Sequence, residues 1–377
     1  MEKHPEVVYW LALTQHSGLK LNIIKPIILR WCLQERRPLS ALFELSPLEM
    51  GATFGLSEAD ADQILAVPAR LPEQAALLAR WQQQGIHLLA RTDPRYPRRL
   101  AHALSPAKQP LLLWAEGRLE LLNQPLVNLL GQPGQDKSAA DFIAELVGTL
   151  EQEGIGLVSG YSRGLDRDAF DLMLASATGF AVALLPMGLA AFAQTTATLA
   201  PAVEAGRAAL VSPFAPDTPY QERLAEARTL LIDHLSLALL IPDADDDAQS
   251  RATQALDRGL PVFVKENTPG NHQLIDQGAL LLTDAGEVVD WVQQALVDDV
   301  LLDTDEEAAP EAVSPAAAAP LTDTAPVAPP RSDEDFKLRV EDVPLLDSDE
   351  AIEVLSMGGD LPEVLRDRLK KRQKPSE

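Results

Sequence analysis

The sequence predicts an α/β protein in which a small all-helical domain precedes a doubly wound, mostly parallel sheet, and a disordered acidic linker and tail follow it. Three observations support this prediction. Apolar residues at helical spacing occupy residues 7–70. Short apolar runs then alternate with helical stretches up to residue 297, as in a parallel sheet covered on both faces. After Asp298 the chain is rich in Ala, Pro and acids, which bury too little apolar surface to fold.

These boundaries divide the chain into four segments. The helical domain is expected over 1–72 and the sheet domain over 73–297, with turn signals such as Ser46-Pro47 inside the first. A disordered Ala/Pro-rich linker is expected over 298–345. A short helical tail with a basic end is expected over 346–377. Two interpretations of the tail stay open: a frayed, solvated helix, or a docking peptide that contacts a partner or nucleic acid.

The strands of the sheet are expected at eight apolar runs, which are bounded by turn residues. These runs are IHLLA (86–90), LLLWA (111–115), LVNLLG (126–131), GIGLVSG (154–160), FAVALLP (180–186), AALVSP (208–213), LALLIP (237–242) and PVFVKE (261–266).

Charge and composition narrow the possible functions. The chain of 377 residues carries a net charge of −24, so it lacks the basic footprint of a DNA coat protein, and a phosphate ligand needs a local positive site. Residues 298–377 hold 21 acids and 9 bases, which is half of that net charge. The one cysteine, Cys32, excludes a disulfide framework and a Cys-rich zinc site. The longest apolar stretch, 180–193, is too short to span a bilayer. We therefore expect a cytoplasmic protein without a membrane partner.

Ligands of a doubly wound sheet bind in the loops that follow the strands, where helix N-termini attract anions. The loop from Gly131 is either a phosphate cradle or an ordinary turn. The loop from Ser159 to Asp166 is a better anion pocket, because it combines glycines, hydroxyls and Arg163 with an Asp able to cap the next helix. The acidic loop at 243–253 is expected to be solvated rather than to hold a metal. The fourth loop, at 268–278, again turns into a helix.

An ordered set of motifs resembles the DprA/Smf family of DNA-processing proteins over roughly residues 7–290. The matching segments are DPRYPRRL (93–100) for D-x-x-Y-P-x-x-L, VSGYSRGLDRDAF (158–170) for V-S-G-x-A-x-G-I-D-x-x-A-H, RTLLIDHLS (228–236) for R-N-R-I-I-A-G-L-S, IPDA (241–244) with AQSRAT (248–253) for V-E-A and S-G-S-L-x-T, and GNHQLIDQGA (270–279) for G-x-N-x-L-I-x-x-G-A.

The resemblance implies an extended Rossmann-like domain that follows a SAM/HhH-like helical domain. It also implies a non-enzymatic homodimer, without cofactor or metal, that binds single-stranded DNA and assists loading of the RecA recombinase in natural transformation or recombination. The positions that it assigns to DNA or phosphate binding, together with the loop positions above, are Gly131, Ser159, Gly160, Arg163, Gly164, Asp166, Arg228, Ser250, Arg251, Thr253, Gly270 and Asn271.

Departures from the family pattern leave two other functions open. The arginine of the family's G-S-R loop is absent from Gly131-Gln132-Pro133, the family's histidine is Phe170, and the second Arg of R-N-R is Leu230. Fewer bases mean fewer phosphate contacts and weaker binding. The alternatives are a nucleotide-sensing Rossmann protein of the same superfamily, and a scaffold that has lost ligand binding.

Overall fold

The computed structural model describes residues 4–104, 108–132, 137–195 and 197–307, with the side chains of 103 and 298–307 excepted. The tail expected over 346–377, and the expected linker beyond residue 307, lie outside the described residues.

The N-terminal region is helical, as its apolar periodicity predicts. Local caps define its turns: Ser46 and Glu49 form a reciprocal capping box, and the Ser57 hydroxyl accepts from the Asp60 backbone N–H. The buried side chains of Trp10, Ile28 and others form one core that continues into the sheet domain. The helices are α1 (Glu6–His16), α2 (Leu21–Ile28), α3 (Pro47–Phe54), α4 (Glu58–Ala66) and α5 (Leu71–Gln83), with a π-turn at Leu29–Gln34 and 3-10 turns at Leu39–Glu44 and Val67–Arg70.

All eight expected strands are present in a single mostly parallel sheet, and a ninth, two-residue strand follows them. The spatial order is β1-β2-β6-β5-β4-β3-β7-β8-β9. Four neighbouring strands, β3 to β6, are buried at every position, which explains their continuous apolar runs. The strands are β1 (His87–Ala90), β2 (Leu112–Gly117), β3 (Leu126–Leu129), β4 (Gly156–Ser159), β5 (Ala181–Leu184), β6 (Ala208–Ser212), β7 (Leu239–Ile241), β8 (Val262–Val264) and β9 (Leu280–Leu281).

The first two strands differ from the others in direction. β1 pairs antiparallel with β2, and β2 pairs antiparallel with β6, whereas all pairs among β3 to β9 are parallel. An apolar run does not encode strand direction, so the sequence predicted these strands but not their orientation.

Helices cover both faces of the sheet. On one face, α7 and α8 pack with the N-terminal helices and α14 in a common core. Separate clusters contain α6 with α11, and α12 with α13. The remaining helices are α6 (Arg98–Ala103), α7 (Lys137–Gln152), α8 (Leu165–Ala175), α9 (Leu189–Ala193), α10 (Ala200–Glu204), α11 (Glu222–Leu235), α12 (Asp246–Asp257), α13 (Pro269–Asp276) and α14 (Ala285–Glu307), with a 3-10 turn at Leu119–Asn123.

The sheet reverses its order of connection at β3, which lies between β4 and β7. A doubly wound sheet opens a crevice at this switch point, outside the carboxyl ends of its strands. The loops that follow β3, β4 and β7 therefore meet there.

The final helix, α14, differs from the sequence prediction. It continues to Glu307 and so enters the segment expected to be linker from residue 298. The prolines that made this segment look disordered begin only at Pro310. Nothing before that residue interrupts the hydrogen bonds of a helix. The helix therefore extends ten residues beyond the boundary expected at 297, and the domain boundaries themselves stay predictions.

Candidate functional site

The loop after β4 lies against the guanidinium of Arg228. Gly160 in this loop has no side chain, and a Cβ built on it would overlap the Arg228 guanidinium. Arg228 projects from α11 and is only 5 % exposed. Its Nη2 donates to the Ser162 hydroxyl at 3.5 Å. This position therefore requires glycine, because an arginine occupies the space that a side chain would need.

Burial lowers the pKa of Arg228 to about 10, and the nearby carboxylate of Asp166 partly opposes this change. Arg228 is still charged at neutral pH. Its Nε has no hydrogen-bond partner among the described residues. A buried cation with an unused donor attracts an anionic ligand more strongly than an exposed one does, because the local dielectric is low.

Asp166 has a different role from the expected helix cap. α8 begins at Leu165 with Gly164 as its N-cap residue and no side-chain cap. Asp166 instead lies inside the first turn, where its Oδ2 accepts from the Ser162 backbone N–H at 2.8 Å. Burial raises the pKa of this carboxyl, against the hydrogen bonds of Ser162 and Ser159 and the charge of Arg228. The carboxylate thus fixes the shape of the β4 loop and lies close to Arg228.

Tyr161 holds the same loop in a strained backbone conformation. Its φ of 52° is in the left-handed region, which is unusual for a residue that is not glycine. The Ser159 hydroxyl accepts from the Tyr161 N–H at 2.7 Å. The buried ring packs edge-on against Phe170 and Phe192, and the Arg167 guanidinium lies 4.3 Å from its centre. Phe170, which replaces the family's histidine, therefore supports the loop by packing.

The loops after β3 and β7 are joined closely. Gly131 has a φ of 117°, and a Cβ on it would overlap the backbone oxygen of Asp243. Gln132 N–H donates to that oxygen at 2.9 Å. Gly131 is thus required by close backbone approach, and the phosphate-cradle interpretation of this loop stays a prediction.

Asn271 connects the ends of β7 and β8. It is fully buried, and its amide donates to the backbone oxygens of Pro242 and Lys265 and to the Asn267 side chain. Its Oδ1 accepts from the Ala244 N–H at 3.2 Å. The amide is satisfied within the protein, so its geometry explains a structural role. Gly270 beside it has ordinary contacts, the nearest to a built Cβ being 3.5 Å from Gln249.

Arg251 is engaged by a carboxylate that the sequence analysis did not identify. Asp233 on α11 has a side chain only 3 % exposed, and its two oxygens accept from Arg251 Nη2 and Arg258 Nη1, each at 2.7 Å. Arg251 lies on α12, and Arg258 directly follows the end of that helix. The ion pairs join α11 to α12.

The other expected site residues are more dispersed. Arg163 and Ser250 are exposed, and Gly164 is half-buried at the start of α8. The Thr253 hydroxyl bonds to Gln249 and Gln277, so it connects α12 to the end of α13. The structure therefore brings together Ser159, Gly160, Asp166 and Arg228, whereas Thr253 and Asn271 lie in contacts between elements.

Asn128, at the switch point, was also missed. Its Nδ2 donates to the Val158 oxygen at 2.7 Å, and its Oδ1 has no hydrogen-bond partner among the described residues. A polar residue inside the apolar run of β3 was the available sequence signal. For Asp233, the signal was an acid among the apolar residues of α11.

Two further features of the described residues concern metal ions and membranes. Among the described residues, no group of three or more His, Cys, Asp or Glu side chains is arranged to hold a metal ion. The helices in that part of the chain include none that is both long and apolar enough to cross a membrane.

The fold and its crevice define a Rossmann-like protein with a buried arginine at the switch point. The family model of DNA recombination-mediator protein A matches residues 87–293, and the chain belongs to this family, DprA/Smf.

Known relatives share this assignment. Protein Smf of Escherichia coli K12 is 29% identical over 251 residues, which cover 64% of this chain and 66% of that protein. DNA processing protein DprA of Streptococcus pneumoniae R6 is 26% identical over 188 residues, which cover 48% of this chain and 66% of that protein. The match thus spans slightly less than two thirds of either relative.

A solved structure shows the same fold. The crystal structure of DprA from Streptococcus pneumoniae matches with a TM-score of 0.52 and 22% identity, over 77% of this chain and 98% of that chain. The extended Rossmann-like architecture is therefore confirmed.

Proposed function

We propose that this DNA-processing family member binds single-stranded DNA at the switch-point crevice and breaks no bond in it. The observation that carries the proposal is Arg228, a charged side chain buried against Gly160 at the crevice. A cation in that position is suited to a backbone phosphate, which recognises no particular base.

The exposed Arg163 is the second expected phosphate contact. It belongs to the same loop as Gly160 but lies on its outer surface. An exposed base on this loop and a buried base that packs against it from α11 suit a strand that enters the crevice from solvent. Membership of the DNA recombination-mediator protein A family supports this ligand.

The remaining functional predictions extend the same proposal. The chain assists the loading of RecA onto the bound strand, acts as a homodimer, and works in the cytoplasm without a catalytic centre. Support for a binding role is that the groups gathered at the crevice are the Gly160 backbone, the hydroxyls of Ser159 and Ser162, and the Arg228 guanidinium with its neighbouring Asp166 carboxylate. A guanidinium and hydroxyl donors are groups that bind phosphate oxygens.

The test is a titration of labelled oligo-dT against the full chain over a range of salt concentrations. Arg163→Ala and Arg228→Lys are the variants, with Arg70→Ala in the helical domain as the matched control. Losing one phosphate contact weakens binding and lowers the salt slope by about 0.7. We expect this slope change for Arg163→Ala. Arg228→Lys keeps the charge, so we expect weaker binding at an unchanged slope.

Competition distinguishes the alternatives. If free nucleotides displace the DNA and bind more tightly, the chain is a nucleotide sensor. If neither ligand binds, the scaffold interpretation replaces the proposal.

A further inference from the structure

We infer that a second nucleic-acid contact site extends from the crevice along α11 to α6, and that it binds the phosphate backbone of the same single strand. The inference rests on the proposed function and adds a path outside the crevice. The path, called the basic groove, is formed by Arg251, Arg258, Lys108, Arg99 and Arg98.

The first observation is local charge. Residues 91–108 contain five Lys or Arg residues and one Asp, in a chain whose net charge is −24. α6 lies within this segment, and Arg98 on it is exposed. A basic surface on so acidic a protein is a site to which a polyanion is directed.

The second observation is the pair of arginines between α11 and α12. The side chains of Arg251 and Arg258 are 22% and 32% exposed, so both reach the surface. Both are paired with the buried carboxylate of Asp233. One nitrogen of each guanidinium bonds to Asp233, and a guanidinium carries five N–H donors. The carboxylate fixes two cations at the surface, where each guanidinium has further N–H donors. One of these, Arg258 Nη2, donates to Gln254 at 3.4 Å.

The third observation connects these arginines to α6. His234 on α11 lies near both Arg258 and Lys108: burial chiefly lowers its pKa, and the charges of these two residues lower it further. Arg99 Nη2 donates to the backbone oxygen of Ser236 at 3.4 Å, where α11 ends. Arg99 on α6 therefore lies next to the C-terminal end of α11.

The fourth observation connects the groove to the crevice. Arg251 is close enough to Arg228 to lower the pKa of the buried guanidinium, although burial is the main cause of that shift. Arg228 and Ser236 lie on the same helix, about 12 Å apart along its axis at 1.5 Å per residue. A positively charged groove of this kind follows the backbone of a single strand over several nucleotides.

The experiment uses the full chain and two lengths of oligo-dT, about 20 and about 6 nucleotides. The variant is Arg98→Gln with Lys108→Gln, and the matched control is Arg36→Gln with Arg70→Gln, two exposed bases of the helical domain. We expect this double variant to lower the salt slope for the long oligonucleotide by about 1.4, which is two contacts. The short oligonucleotide, which fills only the crevice, is expected to bind as it does to the parent.

A second readout is photocrosslinking of the long oligonucleotide, with crosslinks expected in residues 91–109 of the parent. The inference is wrong if the double variant and the parent have the same salt slope, or if the control variant loses as much of the slope as the double variant does. It is also wrong if the double variant binds the long oligonucleotide more tightly than the parent. That result would mean that the groove binds acidic segments of the chain itself. If the parent binds neither oligonucleotide, the proposed function is overturned and this inference with it.

Discussion

The guanidinium of Arg228 lies against the backbone of Gly160 with no space for a β-carbon between them. A residue on α11 and a residue of the β4 loop are thus fitted to each other, although they lie 68 positions apart in the chain. Because the arginine is held by packing more than by hydrogen bonds, its position depends on the glycine.

Gly160→Ala is expected to displace Arg228 and to weaken oligo-dT binding. Overpacking a buried site costs about 1–3 kcal/mol, so we also expect a lower free energy of unfolding. Gly148→Ala in α7 is the control, because a Cβ built there has nothing within 4 Å. Titration and urea unfolding measure both effects. Parent-like binding by Gly160→Ala would show that the Arg228 position is not needed.

Asp166→Asn is expected to change the pH dependence of stability. Burial raises the pKa of the Asp166 carboxyl above its usual 3.8, so the folded chain holds the proton more tightly than the unfolded chain does. The parent therefore loses stability as the pH rises through the folded-state pKa, whereas asparagine does not ionise.

The melting temperature of Asp166→Asn relative to the parent should rise as the pH increases over the acidic range above the usual aspartate pKa of 3.8. Asp168→Asn, an exposed acid on the same helix, is the control. A constant difference between parent and Asp166→Asn across this range would contradict the prediction.

Asp233→Ala is expected to destabilise the fold by about 3 kcal/mol, because it leaves two arginines without the buried carboxylate that pairs them. Asp257→Ala removes an exposed acid from the end of α12 and should change stability by less than about 0.5 kcal/mol. Urea unfolding measures both. Equal unfolding midpoints for the two variants would mean that the ion pairs contribute little.

Deleting residues 308–377 is expected to tighten DNA binding at low salt. This segment holds 15 acids and 9 bases, and a tethered polyanion competes with DNA for a basic site. The cut preserves α14, which ends at Glu307, so the melting temperature should not change. The gain in affinity should shrink as salt screens the charges. Weaker binding at every salt concentration would show that the basic end of the tail contacts DNA.

The sequence predicted the sheet because buried parallel strands require continuous apolar residues, as in Ala181–Leu184. It missed β9, since two residues give no pattern and Leu280 and Leu281 are partly exposed at the sheet edge. The motifs identified Arg228, but its burial against Gly160 depends on how α11 packs.

The ion pair of Arg251 could not be predicted from the sequence. A base in a motif loop predicted a phosphate contact, and nothing in one sequence revealed that Asp233, eighteen positions earlier, accepts from it. Such pairings arise only when two helices pack. Whether Arg251 also contacts phosphate stays a prediction.

The order of the strands determines when the crevice can be assembled during synthesis of the chain. β3 pairs with β4, which follows it soon in the chain, but also with β7, which emerges from the ribosome much later. Pairing of distant strands requires closure of a long loop and is slow. Arg228 lies in the helix just before β7, so the β4 loop exists before the arginine that fills it. A nascent chain that ends before α11 therefore has the loop without its cation, and under the proposed function it should not bind DNA at the crevice until α11 has been synthesised.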